Sequence, residues 1–293
     1  MTPRRFAFLL LFSIALITAT LTAQMPSRPA TSAASDNDAL LAHAAELYYS
    51  AVRPAPAHAI LDSFQCAVHP EWPGLLAAVD KSSGSSTAQS YTVAPSDPRL
   101  ELLTPITVSV RTEINGAATL NWNQPSDSGK PLDQASADLL DRVHQTTAQE
   151  LEGFFRFWIT FINGTIIPKT SKGIEVRHSV AGVTLHAEMR DQKLDEIFSP
   201  DWTLKEFNVS MGGVSIRFTP TFDSTSEGLL VKTFDAYIQP PATESAQARR
   251  MQVALDYQTV NGFQLPSHLD IAVTGAGRVA FIFTGCTVQG VTQ

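Results

Sequence analysis

Cysteine is nearly absent. The 293 residues include two, Cys66 and Cys286, and no CxxC pair. That excludes a disulfide-rich small scaffold, a thiol-redox motif and a zinc ribbon. Charge is scarce too, at 17% of residues against 44% hydrophobic; such a chain buries a core rather than staying disordered. The charge present leans negative, with 21 Lys plus Arg against 28 Asp plus Glu. A broad basic face for nucleic acid is therefore not expected. The motifs that announce chemistry are also missing: the chain has no HExxH, GxSxG, SxxK, P-loop or GxGxxG, and its His and Cys have no zinc spacing. The sequence names no catalytic residue, no metal site and no cofactor.

What is present begins with an address. Arg4 and Arg5 precede the apolar run Phe6–Ile17, and a small-residue stretch ends at Ala23. This is the layout of a secretory signal peptide over 1–23, with export to the periplasm or outside the cell as its consequence. An uncleaved anchor is the alternative, since residues 6–23 are uncharged. Cleavage would remove two positive charges and leave 19 − 28 = −9. Residues 24–37 are rich in Pro, Ser and Ala and read as a flexible leader to one domain over 38–293. An oxidising compartment favours pairing Cys66 with Cys286, each in a strand-like run; two buried free thiols are the alternative.

Capping residues at 35–38 open a helix that runs to Ser50. Strands are expected at 61–68 and 106–114, a short helix near 75–79, and a polar loop over 81–98. The strongest signal lies at 132–163. Leu132, Leu139, Leu140, Val143, Thr147 and Leu151 form one stripe at 100° per residue, and Phe154, Phe155, Phe157, Trp158, Ile159, Phe161 and Ile162 widen it to an apolar arc of about 200°. Only Arg156, Thr160 and Asn163 face elsewhere. Such a helix needs a surface to cover it. The chain beyond residue 174 supplies strand-like runs at short spacing, separated by turns such as Gly212-Gly213 and Asn261-Gly262. Close connections imply an antiparallel meander. Its clearest hairpin is 174–189, with a turn at Ala181-Gly182 that pairs Val180 with Val183. That register places His178 with Ile174 and Val176 on one face and His186 on the other. The expected fold is α+β: a curved antiparallel sheet of about eleven strands, an open or half barrel, wrapped around a long amphipathic helix.

Seven histidines are scattered along the chain. His144 and His178 fall on apolar faces and read as core histidines. The acidic pairs Asp36/Asp38 and Asp195/Glu196 read as caps or solvated strand edges. A hydrolase with dispersed carboxylates is a minor alternative, because such pairs need no sequence proximity. The aromatic block is the feature with functional reach: Phe154, Phe155, Trp158 and Phe161 either pack a core or line an apolar groove for a small ligand.

The exported chain, the N-terminal helix, the meander, the aromatic helix and the run DYQTVNGFQLPSHLDIAV at 256–273 together resemble the periplasmic lipoprotein-carrier (LolA/LolB-like) half-barrel. The resemblance spans 40–288 and transfers no residue role. It implies a non-enzymatic binding protein whose partner is a lipid or the acyl chains of a lipoprotein, with membrane contact at most transient. The alternative is a structural or interaction module of the cell envelope with a filled core and no ligand.

Overall fold

The computed structural model describes residues 32–53, 59–82, 92–124, 132–164, 166–189, 192–241, 248–275 and 277–292. The signal segment 1–23, most of the leader and much of the expected 81–98 loop lie outside them. The helices are α1 (Ser32–Glu46), α2 (Trp72–Ser82), α3 (Arg99–Leu103) and α4 (Gln134–Ile162). The strands are β1 (Ala59–Pro70), β2 (Thr107–Glu113), β3 (Ala118–Asn123), β4 (Ile174–Ser179), β5 (Gly182–Met189), β6 (Gln192–Phe198), β7 (Leu204–Met211), β8 (Val214–Thr225), β9 (Gly228–Gln239), β10 (Arg249–Val260), β11 (Phe263–Val273) and β12 (Gly277–Thr292).

All twelve strands belong to one sheet in the order β3-β2-β1-β12-β11-β10-β9-β8-β7-β6-β5-β4. The pairs are antiparallel, from β1 with β12 to β4 with β5. The sheet is open, with β3 and β4 at its edges. These edge strands are consecutive in sequence, and α4 is the segment that connects them. The expected meander and strand number are thus present.

The described residues divide into two compact units, one built from 53–159 and 255–292, the other from 32–52 and 160–254. In the first unit, Asp133 Oδ1 accepts the Ser136 N–H at 2.8 Å and caps the start of α4. The β2–β3 turn carries Gly116 at φ 84. A Cβ there would lie 2.9 Å from Ile159 Cγ2 and 3.0 Å from Arg156 Cα. Glycine is therefore required twice, for its backbone conformation and for the close approach of α4. Cys66 and Cys286 are joined, with Cα atoms 4.1 Å apart, across β1 and β12. The ladder slips by one residue at this point, between Gln65/Thr287 and Ala67/Thr284. Gly285, at φ 57, absorbs the extra residue as a bulge and turns Cys286 toward β1.

In the second unit the 174–189 hairpin closes as Ser179↔Gly182, so the loop is Val180-Ala181 and His178 pairs with Val183. The expected register is corrected by two residues. A shift of two preserves every face assignment, because side chains alternate with period two. A Cβ at Gly182 would strike the Phe198 carbonyl of β6, and its φ of 139 lies in the region that favours glycine, so glycine is required at this end of β5. The segment after α1 is pinned to the β8–β9 turn. The Leu229 N–H donates to Leu47 O at 2.7 Å, and the Tyr49 N–H donates to Leu229 O at 3.0 Å.

Removing the cross-strand bond with Cys66→Ala/Cys286→Ala should cost about 2–5 kcal/mol in denaturant unfolding. Equal midpoints for the double variant and the parent would contradict the bond's structural role.

Candidate functional site

The aromatic block forms one cluster in the first unit. The Phe155 ring meets Phe154 at 5.0 Å, Phe64 of β1 at 5.6 Å, Phe283 of β12 at 5.7 Å and Trp158 at 6.0 Å. Phe154 and Trp158 stack at 6.2 Å. Trp158 Nε1 donates to the Tyr257 hydroxyl of β10 at 3.1 Å, which satisfies the indole inside the apolar cluster. Phe154, Phe155 and Trp158 are 2%, 0% and 0% exposed. Phe161 belongs to the second unit, where its ring faces Phe222 at 6.3 Å, and Phe222 in turn meets Tyr48 edge-on. Three of the four expected residues therefore share a cluster, and the fourth is described with the other unit.

Glu150 sits on the same helix, four residues before Phe154. It is buried, and burial alone raises its carboxyl to about 7. Among the described residues the one fully enclosed side-chain polar atom without a hydrogen-bond partner is Thr112 Oγ1, not a Glu150 oxygen. Its place in the apolar stripe follows from helical geometry. Val143 and Glu150 are seven residues apart, so both fall within one narrow sector. Arg156 and Glu152, by contrast, pair with each other on the partly exposed side of α4.

A second buried carboxyl belongs to the other unit. Glu196 lies on β6 between Leu185 of β5 and Phe207 of β7, and burial raises it to about 8. The expectation that Asp195 and Glu196 are both solvated is corrected. Asp195 faces outward and accepts from His186 at 2.7 Å, while Glu196 alternates inward with Leu194 and Phe198. Close by, the Tyr48 hydroxyl donates to Trp202 O and accepts from the Leu204 N–H, both at 2.7 Å. Burial and the neighbouring carboxylates of Glu196 and Asp201 keep that phenol from ionising. The bond to Trp202 O holds a bulky residue at φ 62, a conformation that non-glycine residues seldom adopt.

The histidine expectations also change. His178 is exposed, because β4 is an edge strand whose apolar face is only half covered. His144 is half-buried and lies against Trp122 at 5.1 Å, with Trp72 edge-on to Trp122. His178 and His186 do lie on opposite faces, as their register positions require. Among the described residues, no group of three or more His, Cys, Asp and Glu is placed to hold a metal. No helix among them is long and apolar enough to cross a membrane. The fold and cluster define a class: an open antiparallel sheet of twelve strands with a long aromatic helix. Compared with known proteins, the chain matches no family model, no curated protein and no solved structure.

The two raised carboxyls fix a pH dependence. In the unfolded chain they ionise near pH 4.5; in the folded chain they keep their protons to about 7 and 8. The folded state therefore binds more protons in this window, and stability falls as pH rises from about 4.5 to 8. Asp38, Asp97, Asp133 and Asp201 are shifted the other way by the N–H and O–H groups that they accept, so their contribution is lost as pH falls below about 4. The melting temperature should peak between roughly pH 4 and 5. Glu150→Gln/Glu196→Gln should flatten the alkaline limb. An unchanged slope in that double variant would refute the assignment.

Proposed function

We propose that this chain is an exported, non-enzymatic binding protein that holds the acyl chains of a lipid or lipoprotein against the aromatic segment of α4. The half-barrel reading of the sheet and the likeness to the lipoprotein carriers belong to this proposal. The observation that carries it is the concentration of Phe154, Phe155 and Trp158 on one helical segment, backed by Phe64 and Phe283 of adjacent strands. Each methylene moved from water into such a surface contributes about 0.8 kcal/mol. An acyl chain offers many methylenes and asks for little directional bonding. The rings touch one another, so an entering chain must part them, and the contacts it forms replace ring–ring contacts of similar strength. The Cys66–Cys286 bond is compatible with an oxidising compartment.

A filled-core module of the cell envelope is the second reading. It is favoured by the near-complete burial of the same three rings.

cis-Parinaric acid distinguishes the two readings, because tryptophan emission overlaps its absorption. Saturable energy transfer is expected, and Trp158→Phe should lower the transfer while leaving saturation in place. Absence of any saturable signal supports the filled core and removes the acyl-binding reading.

A further inference from the structure

We infer that the open edge of β4 is a homodimer interface: it pairs antiparallel with β4 of a second copy, about a two-fold axis through Val176. This surface lies in the second unit and is independent of what α4 holds.

No described strand lies beyond β4, which ends the sheet. Bulges, prolines and mutually repelling charges commonly keep such an edge from pairing. β4 pairs with β5 in unbroken register from Ile174 to Ser179 and contains no proline. Its two charges, Glu175 and Arg177, are opposite in sign and more than half exposed. The backbone fixes which groups face outward. A two-residue loop closes on a hydrogen-bonded pair, here Ser179 with Gly182. Counting back, Arg177 and Glu175 direct their backbone groups to β5, while His178 and Val176 direct theirs away from it. Ile174 has the same parity as Val176, and its N–H turns from β5 to donate to Ser171 O at 3.0 Å.

In a pair centred on Val176, the Val176 N–H of each copy donates to Val176 O of the other. The His178 N–H of each donates to Ile174 O of the other. Glu175 then faces Arg177 of the second copy, and Arg177 its Glu175, at the positions where cross-strand side chains come closest. The neighbouring registers set Glu175 against Glu175 or Arg177 against Arg177, which repulsion disfavours. The other open edge, β3, carries no charge to answer either residue. Charge therefore selects the closed two-fold pair over an open chain of copies. On the opposite face, the half-buried Val176 of each copy covers that of the other.

Sedimentation equilibrium of the full chain from about 5 to 500 µM covers the weak range expected of a small interface. A monomer–dimer equilibrium is expected. Arg177→Glu and Glu175→Arg, each alone, should raise the dissociation constant at least about tenfold by setting like charges opposite each other. An equimolar mixture of these two variants should dimerise again, because an acidic edge then meets a basic one. Val176→Pro, which removes an outward N–H that β5 does not use, should abolish the dimer. A parent that stays monomeric throughout overturns the inference. So does a dimer or larger assembly that Arg177→Glu leaves unchanged, since another surface then holds it. A mixture no more associated than its two components overturns it as well.

Discussion

One constraint organises the first unit: the C-terminal turns of α4 are apolar almost all round. From Leu151 to Ile162 only Glu152, Arg156 and Thr160 retain appreciable exposure. A helix of this kind has no stable place in water by itself. It must be covered, and here β1 and β12 supply Phe64 and Phe283 while Gly116 lets the β2–β3 turn close on the helix. The disulfide ties the same two strands together behind that contact. Burying an aromatic side chain stabilises by about 1.5–3 kcal/mol, so three such rings outweigh the loss of any single surface ion pair, which contributes at most about 1 kcal/mol.

Polar groups inside each unit are handled in contrasting ways. Trp158 and Tyr48 are large amphipathic residues whose polar tips are satisfied, by Tyr257 in one unit and by Trp202 and Leu204 in the other. Asp80 is likewise satisfied, by a two-pronged contact from Arg99, whose remaining nitrogens hold Asp97. Glu150 and Glu196 follow neither pattern. Each is buried, and each lowers the cost of a buried charge by keeping its proton to about 7 for Glu150 and about 8 for Glu196.

Much of the architecture was legible in the sequence because periodicity reports burial. The expected helix over 132–163 matches α4 to within two residues at either end, except that Leu132, placed in its apolar stripe, precedes the helix and is exposed. Short turns predict the meander, and strand-borne cysteines in an exported chain predict their pairing. The hairpin register was not legible to the residue. Either Val180-Ala181 or Ala181-Gly182 gives the same faces, so the alternation of apolar residues does not decide between them. His178 was misjudged because periodicity identifies a face and not an edge. The two acids were hidden for another reason. Residue type argues for solvent while position argues for the core, and in KLDEIF and QELEGFF position wins. Stricter use of period two at Leu194, Glu196 and Phe198, and of the seven-residue step from Val143, would have found both.

The account is tested most directly by covalent capture. A diazirine-bearing fatty acid, photolysed with the full chain and mapped by peptide mass spectrometry, should label the 150–158 segment of α4 and the facing stretches of β1 and β12. Labelling confined to outward-facing positions such as Ile282 and Val291, with α4 unmodified, would contradict it.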